Sequence, residues 1–429
     1  MDGGRLRQRN LSAVLSRVHR RGGMTRADLT RELGLNRSTI GDLVIALADA
    51  GWVTEVDDAP RLGAGRPSPR VVATDDRLVI AVNPELDAVE VGLVALGGRV
   101  LERVRVPAAQ PTVEDAVAIA ASTARDLAER NPRSRVVAAV AAVPGLVRSD
   151  DGLVRVAPHL GWREQPFGTL LAEALGVPAT AVNDAQSGCQ AELAFGAGSG
   201  TRSMVYLNGG ASGIGGGIVM DGRLLQGRDG HAGELGHLGI DTDGPRCACG
   251  ARGCLEAMVD RRAVVRELGL EHPDDAELAT AIAESRDHAL GALLTAQFGS
   301  LRAGLRSIAT ALNPEMVILG GYLATLWTVV SESERHNALS DALPAVAADL
   351  RIEIAALGAN RLLIGAAERA WEPLLDDPLG TSGNQASTGT PRDARSPSSA
   401  SRSSSSTGSS MAPIASRADS ARVEPITGQ

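Results

Sequence analysis

Three of the chain's four cysteines fall within eight residues, at Cys247, Cys249 and Cys254, and His237 stands ten positions ahead of the first. Three thiols and one imidazole make the Cys₃His set that completes a tetrahedral zinc ion. So short a segment can close round one ion only by turning back on itself, and Gly250 and Gly253 allow the tight turns this needs. With every coordination position taken by protein, the Zn²⁺ would be structural, pinning a loop and the polar residues beside it. Two other readings exist: small apolar packing groups, and reactive redox thiols. The density of the cluster argues against the first, and the presence of His237 without a second paired Cys-x-x-Cys argues against the other. The spacing suits a metal better than a disulfide framework, which fits a reducing cytoplasm. Cys189, beside Gly188 in an expected helix, reads as plain packing.

The length, 429 residues, leads us to expect two or three domains with ample core. No apolar run reaches the eighteen residues of a membrane span, and Met1–Asn10 is polar and basic with no apolar stretch behind it, which argues against a signal peptide. The net charge of −8 is unevenly spread. Residues 1–70 carry 12 Arg against 8 Asp and Glu, while the rest carries 31 Arg against 43 acids. A basic segment on an acidic body suggests that one part meets a polyanion. All the cations are arginine, which reflects genome composition, though the planar fork of arginine suits phosphate and guanine. The pattern divides the chain into a short helical segment, 1–73, a long α/β region, 78–375, and a Ser/Pro-rich stretch, 376–429. The last has no periodicity and too few large apolar groups to offset ordering entropy, so disorder is expected.

The first segment reads as a winged helix-turn-helix, a DNA-binding module. Over Asn10–Arg21 the residues Leu11, Val14, Leu15 and Val18 share one helical face. Thr25 can cap a second helix with Ala27, Leu29 and Leu33 inward, stopped by Gly34. Asn36 can cap a third, Arg37–Ala50, on Ile40, Leu43, Val44 and Leu47. That third helix would read bases through Arg37, Ser38 and Thr39 in its first turn, and Asp42 could accept from a cytosine amino group. Strands Trp52–Val56 and Arg70–Ala73 would make the wing. Arg66, in Gly65-Arg66-Pro67 of the loop between them, is placed to enter a narrow minor groove. A packing or dimerisation module is the other reading of these helices, and a solvated loop arginine the other reading of Arg66.

Glu234-x-x-His237 and Cys247-x-Cys249-Gly-x-x-Gly-Cys254-x-Glu256 resemble the signatures of the ROK family of bacterial repressors, uncharacterised reading frames and sugar kinases. The resemblance runs from about Leu78 to Trp371, and the winged helix ahead of it resembles the repressor branch. It implies a two-lobed, actin-like sugar kinase fold with a sugar cleft between the lobes. It also implies that His237 serves both zinc and sugar, and that Glu234 and Glu256 bind sugar hydroxyls. Val182-Asn183-Asp184-Ala185 resembles the segment whose asparagine binds sugar and whose aspartate is the kinase general base. Val143-Pro144-Gly145-Leu146-Val147 and Leu160-Gly161-Trp162 resemble loops lining the same cleft. Gly145, Asn183, Asp184, Glu234, His237 and Glu256 are therefore the expected sugar contacts. Trp162 reads equally as a platform for a sugar ring or as core, and His159 as a tuner of sugar choice or, more simply, a surface-loop histidine.

A kinase of this fold grips ATP phosphates between two glycine-rich hairpins. Gly213-Ile214-Gly215-Gly216-Gly217 matches the second, although a tight hairpin in a sheet explains it as well. The first should carry an Asp-x-Gly-x-Thr-like turn after strand Leu78–Val82; here it reads Asn83-Pro84-Glu85-Leu86-Asp87. Close backbone approach to phosphate needs glycine, Pro84 removes a donor, and Glu85 brings an anion toward where phosphate charge would sit. Phosphoryl transfer depends on that positioning, so Asp184 is expected as a vestigial base in a protein that is not an enzyme. Gly320-Gly321 after Val317-Ile318-Leu319 resembles an adenosine loop and equally a strand-to-helix turn. The expected function is a cytoplasmic, sugar-responsive regulator, a repressor of carbohydrate-uptake or catabolism genes. Its expected partners are a double-stranded operator and a sugar, and a palindromic operator implies a homodimer or homotetramer. The alternative is an ATP-dependent sugar kinase carrying a DNA-binding module.

Overall fold

A computed structural model describes residues 2–57, 69–148 and 150–380. Its N-terminal elements are α1 (Asp2–Arg21), β1 (Met24–Thr25), α2 (Arg26–Leu33), α3 (Arg37–Asp49), β2 (Val53–Val56) and β3 (Arg70–Ala73). Local chemistry sets the helix boundaries. The Thr25 hydroxyl accepts from the Asp28 amide at 3.1 Å, Gly34 ends α2 in the left-handed region at φ 64°, and Asn36 accepts from the Thr39 amide at 2.8 Å. Each cap satisfies one of the orphan amides of a helix start. The expected stripes on α1 and α3 are buried, as is Leu29 on α2. Ala27 is exposed instead of inward: two residues from Leu29 is about 200° round the helix, which puts it on the far face. Helix α1 also starts earlier than its apolar stripe, at Asp2. The strands pair antiparallel in the order β1-β3-β2. Arg66, in the expected wing loop, and the expected tail beyond Gly380 lie outside the described residues.

The α/β region holds two five-stranded sheets built to one plan. The first lobe runs β4 (Arg77–Pro84), β5 (Ala88–Ala95), β6 (Arg99–Pro107), α4 (Val113–Arg130), β7 (Arg135–Val143), β8 (Leu146–Val147), β9 (Val154–Ala157), β10 (Trp162–Gln165), α5 (Phe167–Leu175), β11 (Ala179–Asn183) and α6 (Asp184–Phe195). Its sheet order is β11-β7-β4-β5-β6, with β8–β10 as a separate small sheet. The second lobe runs β12 (Met204–Gly210), β13 (Gly213–Met220), β14 (Arg223–Leu224), a 3₁₀ turn at Leu235–His237, α7 (Leu255–Met258), α8 (Arg261–Glu267), α9 (Asp275–Glu284) and α10 (His288–Leu312). It continues through β15 (Met316–Gly321), α11 (Tyr322–Val329), α12 (Glu332–His336), α13 (Pro344–Ala347), β16 (Arg351–Ile354) and α14 (Arg361–Asp376). Its order is β14-β13-β12-β15-β16. In each lobe an antiparallel meander is followed by two parallel strands reached through helices, and the strands buried on both faces read as the continuous apolar runs expected of them.

The last helices of the lobes exchange partners. Helix α6 leaves the first sheet and packs on β12 and β13 of the second, whereas α14 leaves the second sheet and packs on β4 and β7 of the first. The two helices cross so closely that a Cβ on Gly365 would stand 1.7 Å from the Ser187 carbonyl oxygen.

Helix α14 also carries the N-terminal elements. Leu362, Leu363, Ala366, Ala367 and Trp371 share one apolar core with α1, α3, β4 and β7. His19, buried at the end of α1, accepts from the Gly97 amide at 2.9 Å through Nδ1 and meets Glu368 of α14 at 3.0 Å through Nε2. The Trp52 indole donates to the Pro378 carbonyl at 2.6 Å, and Arg77 stacks over the same ring. Residues 2–380 are thus one compact unit, and 376–380, expected as the start of the tail, form the end of α14 and a segment packed on Trp52. Among the described residues no helix is long and apolar enough to cross a membrane.

Candidate functional site

The cysteine–histidine segment is folded back on itself by backbone contacts. Gly236 of the 3₁₀ turn lies against β13, where a Cβ would stand 1.9 Å from the Ile214 carbonyl oxygen, and this sets the position of His237. The Ile240 amide donates to Gly253 at 2.7 Å and the Leu255 amide to Leu238 at 2.9 Å. Gly253 adopts φ +63° with the Asp241 carbonyl filling the space of a side chain, and Gly250 adopts φ +97°. Both glycines therefore make the turns expected of them.

This folding brings the donor atoms of His237, Cys247, Cys249 and Cys254 within 4.8 Å of one another, a group able to hold a metal ion. Cys249 Sγ lies 3.7 Å from Cys254 Sγ, and Cys247 Sγ lies 3.6 Å from His237 Nδ1. Zinc–sulfur and zinc–nitrogen bonds of about 2.3 and about 2.05 Å imply tetrahedral edges of about 3.8 and about 3.6 Å. The two measured edges fit. With Nδ1 facing the thiols, His237 Nε2 points to Glu234, 3.9 Å away.

Four of the expected sugar contacts converge beside this cluster. Glu256, two residues past Cys254, lies 3.9 Å from His237 Nδ1, accepts from the Cys247 thiol at 3.1 Å and accepts from the Ile214 amide at 3.3 Å. Burial would raise its pKa, but bonds from His159 and Cys247 and the charge of His237 outweigh that and hold it below the ordinary value. Glu234 keeps 39% of its side chain exposed. Partial burial, with the charges of Asp184 and Glu256, still pushes its carboxyl up to about 7. Asp184 opens α6 and is buried, which raises it to about 6 against the pull of its own backbone amides and of Arg361. These are three carboxylates in one cleft without a lysine or arginine paired to Glu234 or Glu256 among the described residues.

The remaining two expected contacts act on each other. Asn183 caps α6 by accepting from the Gln186 amide at 2.8 Å, and its amide donates to the Gly145 carbonyl at 2.9 Å. Gly145 is itself pressed against β9, where a Cβ would meet the Val156 carbonyl oxygen at 2.4 Å. His159 is not a surface-loop histidine: it is largely buried and its Nε2 lies 3.9 Å from Glu256. The turn that folds it inward gives no periodic signal. Trp162 belongs to the core, donating to the Pro111 carbonyl at 3.0 Å and packing edge-on against Phe167.

The two hairpins flanking the cleft meet across the lobes. The end of β4 holds Asn83 and the β4–β5 turn holds Glu85 and Asp87, while the β12–β13 turn holds Ala211 and Ser212. Between them opens a cavity of about 110 Å³, lined in part by Asn83, Glu85, Asn208, Gly210 and Arg361. Arg103 pairs with Glu90, and Arg105 with Asp87 at 3.0 Å, along its wall. Glu85 is shifted toward its neutral form, against the anion its type suggests. Atoms of both lobes crowd it although part of its surface is accessible, and this burial, with Asp184 nearby, pushes its carboxyl up to about 8. Gly213–Gly217 forms strand β13, paired to β12 throughout, and Gly320-Gly321 ends β15 at the start of α11.

In the N-terminal elements, α3 presents Arg37, Ser38 and Asp42 to solvent, with Thr39 half-buried. Ser38 donates to the capping Asn36 at 2.7 Å. Ile45 stands 51% exposed on the outer face of the same helix. Sequence reasoning passed over it, although an isoleucine off the buried stripe Ile40, Leu43, Val44, Leu47 was itself the signal.

Residues 79–372 match the ROK family, and the chain belongs to it. It is 26% identical over 378 residues to the xylose repressor of Bacillus spizizenii strain W23, covering 86% of this chain and 96% of that protein. It is 29% identical to the glucokinase of Streptomyces coelicolor, over 70% of this chain and 99% of that one. A solved ROK family transcriptional regulator, homologous to the E. coli MLC protein, superposes with a TM-score of 0.68 at 25% identity, covering 87% of this chain and 98% of that one.

Proposed function

We propose that the protein is a sugar-responsive transcriptional repressor of carbohydrate genes, built from a winged helix-turn-helix at 1–73 and a sugar-binding body at 78–375. The observation that carries this reading is the presence in one unit of a carboxylate-lined cleft and an outward-facing third helix. Asp184, Glu234, His237 and Glu256 converge in a cleft, and Arg37, Ser38 and Ile45 stand outward on the third of three small helices. Carboxylates and an imidazole accept from and donate to sugar hydroxyls. Asn183 and Gly145 hold the loop that presents Asp184. Zinc at His237, Cys247, Cys249 and Cys254 would supply a fixed coordination centre that holds the Glu256 segment against β13. The relatives add support: the repressor and regulator cover 86–87% of this chain but the glucokinase 70%, a difference about the size of residues 1–73.

Sugar can release DNA only by binding one arrangement of the unit more tightly than another. A two-fold operator would be met by a homodimer or homotetramer, in the cytoplasm. The test is thermal shift with a panel of pentoses and hexoses, followed by release of the upstream DNA by the sugar that stabilises. We expect one sugar class to raise the midpoint and Asp184→Asn to abolish the rise; a panel with no stabilising sugar would rule the effector role out.

On the DNA side, Arg37→Ala should weaken operator binding by about 1–3 kcal/mol, roughly 5- to 150-fold, with far less loss on unrelated DNA. Fluorescence anisotropy at fixed salt measures both, and equal losses on both DNAs would reduce Arg37 to a phosphate contact. Arg66 is proposed as a minor-groove contact from the wing. The kinase alternative is disfavoured by the Asn83-Pro84-Glu85 turn, which offers no glycine backbone to phosphate, and Asp184 is then a vestigial base. ADP release with a hexose, lost in Asp184→Asn, would reinstate it.

A further inference from the structure

Glu85 sits in the β4–β5 turn of the first lobe, yet its partners lie in the second. The Ser212 hydroxyl, in the β12–β13 turn, donates to Glu85 Oε2 at 2.8 Å. The other oxygen lies 3.4 Å from the position a Cβ on Gly210 would take, and 3.4 Å from the Asn83 amide nitrogen of its own hairpin. One carboxyl therefore touches both hairpins, accepting from Ser212 of one and lying beside Asn83 of its own. We propose that Glu85 is an interlobe strut: its carboxyl lies between the two hairpins where a phosphate group would be gripped, tying the lobes together and excluding nucleotide. Nucleotide exclusion rests on these turns being former phosphate loops; the strut itself does not.

The surroundings favour a neutral strut. On its own hairpin Glu85 faces Asp87 and Glu90, which are engaged by Arg105 and Arg103 of β6. From α6 it faces Asp184. On the far wall Arg361 of α14 is committed to Tyr206 and Asn208, each at 3.0 Å, and to Asp275 of α9 at 3.1 Å. No cation in this set is bonded to Glu85, and a carboxyl held near 8 is mostly protonated at neutral pH.

Two measurements test the strut on the full-length protein without sugar, so that it can fail separately from the effector reading. The first is hydrogen exchange across Gly209–Gly213 in Glu85→Ala, Ser212→Ala and the double variant. Each single change should speed exchange about tenfold, the size expected from losing one buried hydrogen bond, and the double should add nothing further. Glu85→Gln, which keeps an acceptor without charge, should exchange like the parent. Additive effects, no effect, or a Gln variant as fast as the Ala variant would overturn the strut. The second follows stability against pH. The unfolded chain loses the Glu85 proton near the ordinary carboxylate value of 4.5 while the folded chain keeps it to about 8, so this group makes stability fall as pH rises through that window. Glu85→Gln should flatten that fall; an unchanged slope counts against a neutral strut. Nucleotide exclusion has its own probe: magnesium AMP-PNP should not stabilise the parent protein, and stabilisation would overturn that half of the proposal.

Discussion

Replacing Cys254 by serine should release the metal and lower the thermal midpoint by roughly 10 °C, and it should remove sugar stabilisation along with it. Cys254 lies 3.7 Å from Cys249 and is the residue immediately before α7, whose Glu256 reaches back to the Ile214 amide. A hydroxyl is a poor zinc ligand, and structural zinc contributes on the order of 10 kcal/mol in small domains. Here the loop is also pinned by Leu255, fully buried beneath α10, so a smaller loss of roughly 4 kcal/mol is expected, or roughly 10 °C for lobes of this size. Metal content by mass spectrometry should read one zinc per chain in the parent and none in the variant. Cys189→Ala is the control: Cys189 packs against Gly217 away from the cluster, so its loss should leave the zinc in place. A parent protein without stoichiometric metal, or a Cys254→Ser variant that keeps its midpoint, would leave the four residues as a packed corner of the lobe.

The features legible in the sequence were those written in neighbouring residues. Thr25, Gly34 and Asn36 act within a turn of themselves, so both ends of α2 and the start of α3 followed directly, whereas the start of α1 at Asp2 did not. The cysteine–histidine cluster spans eighteen residues, and its two positive-φ glycines mark its turns. What could not be read depends on residues brought together from far apart. His159 meets Glu256 only because the β8–β10 sheet folds over the cleft, and Glu85 meets Ser212 across 127 positions of chain. The upward shift of the Glu85 carboxyl was hidden for the same reason, because the burial that causes it depends on the second lobe. Trp162 left two readings open, and only the Pro111 carbonyl beside its indole decided for the core. The shared core of α14 with α1 and α3 was also invisible, because an apolar stripe at residues 362–371 does not say which of several elements it will cover.

That shared core makes Trp371→Ala and Gly365→Ala the most damaging single changes expected outside the metal site. Trp371 is fully buried among residues of the N-terminal helices and the first sheet, and truncating so large a buried ring costs about 3–5 kcal/mol. Gly365→Ala fails differently. Its new methyl would meet the Ser187 carbonyl oxygen at 1.7 Å, its carbon at 2.3 Å and its Cα at 2.9 Å. All three are backbone atoms, so no side chain can swing aside and α6 must move off α14. Overpacking of this kind costs about 1–3 kcal/mol, more where nothing yields. Arg369→Ala, which removes an exposed pair with Glu372 on the same helix, should change stability by less than about 0.5 kcal/mol. Calorimetry distinguishes the possible outcomes. If α14 is the common spine, Trp371→Ala melts the whole unit in one transition at lower temperature. Gly365→Ala should then also shift sugar affinity, since α6 begins at Asp184 in the cleft, and DNA affinity, since α14 holds His19 through Glu368. A variant in which the N-terminal helices melt alone, with sugar binding untouched, would show that the head rides on the body without being coupled to it.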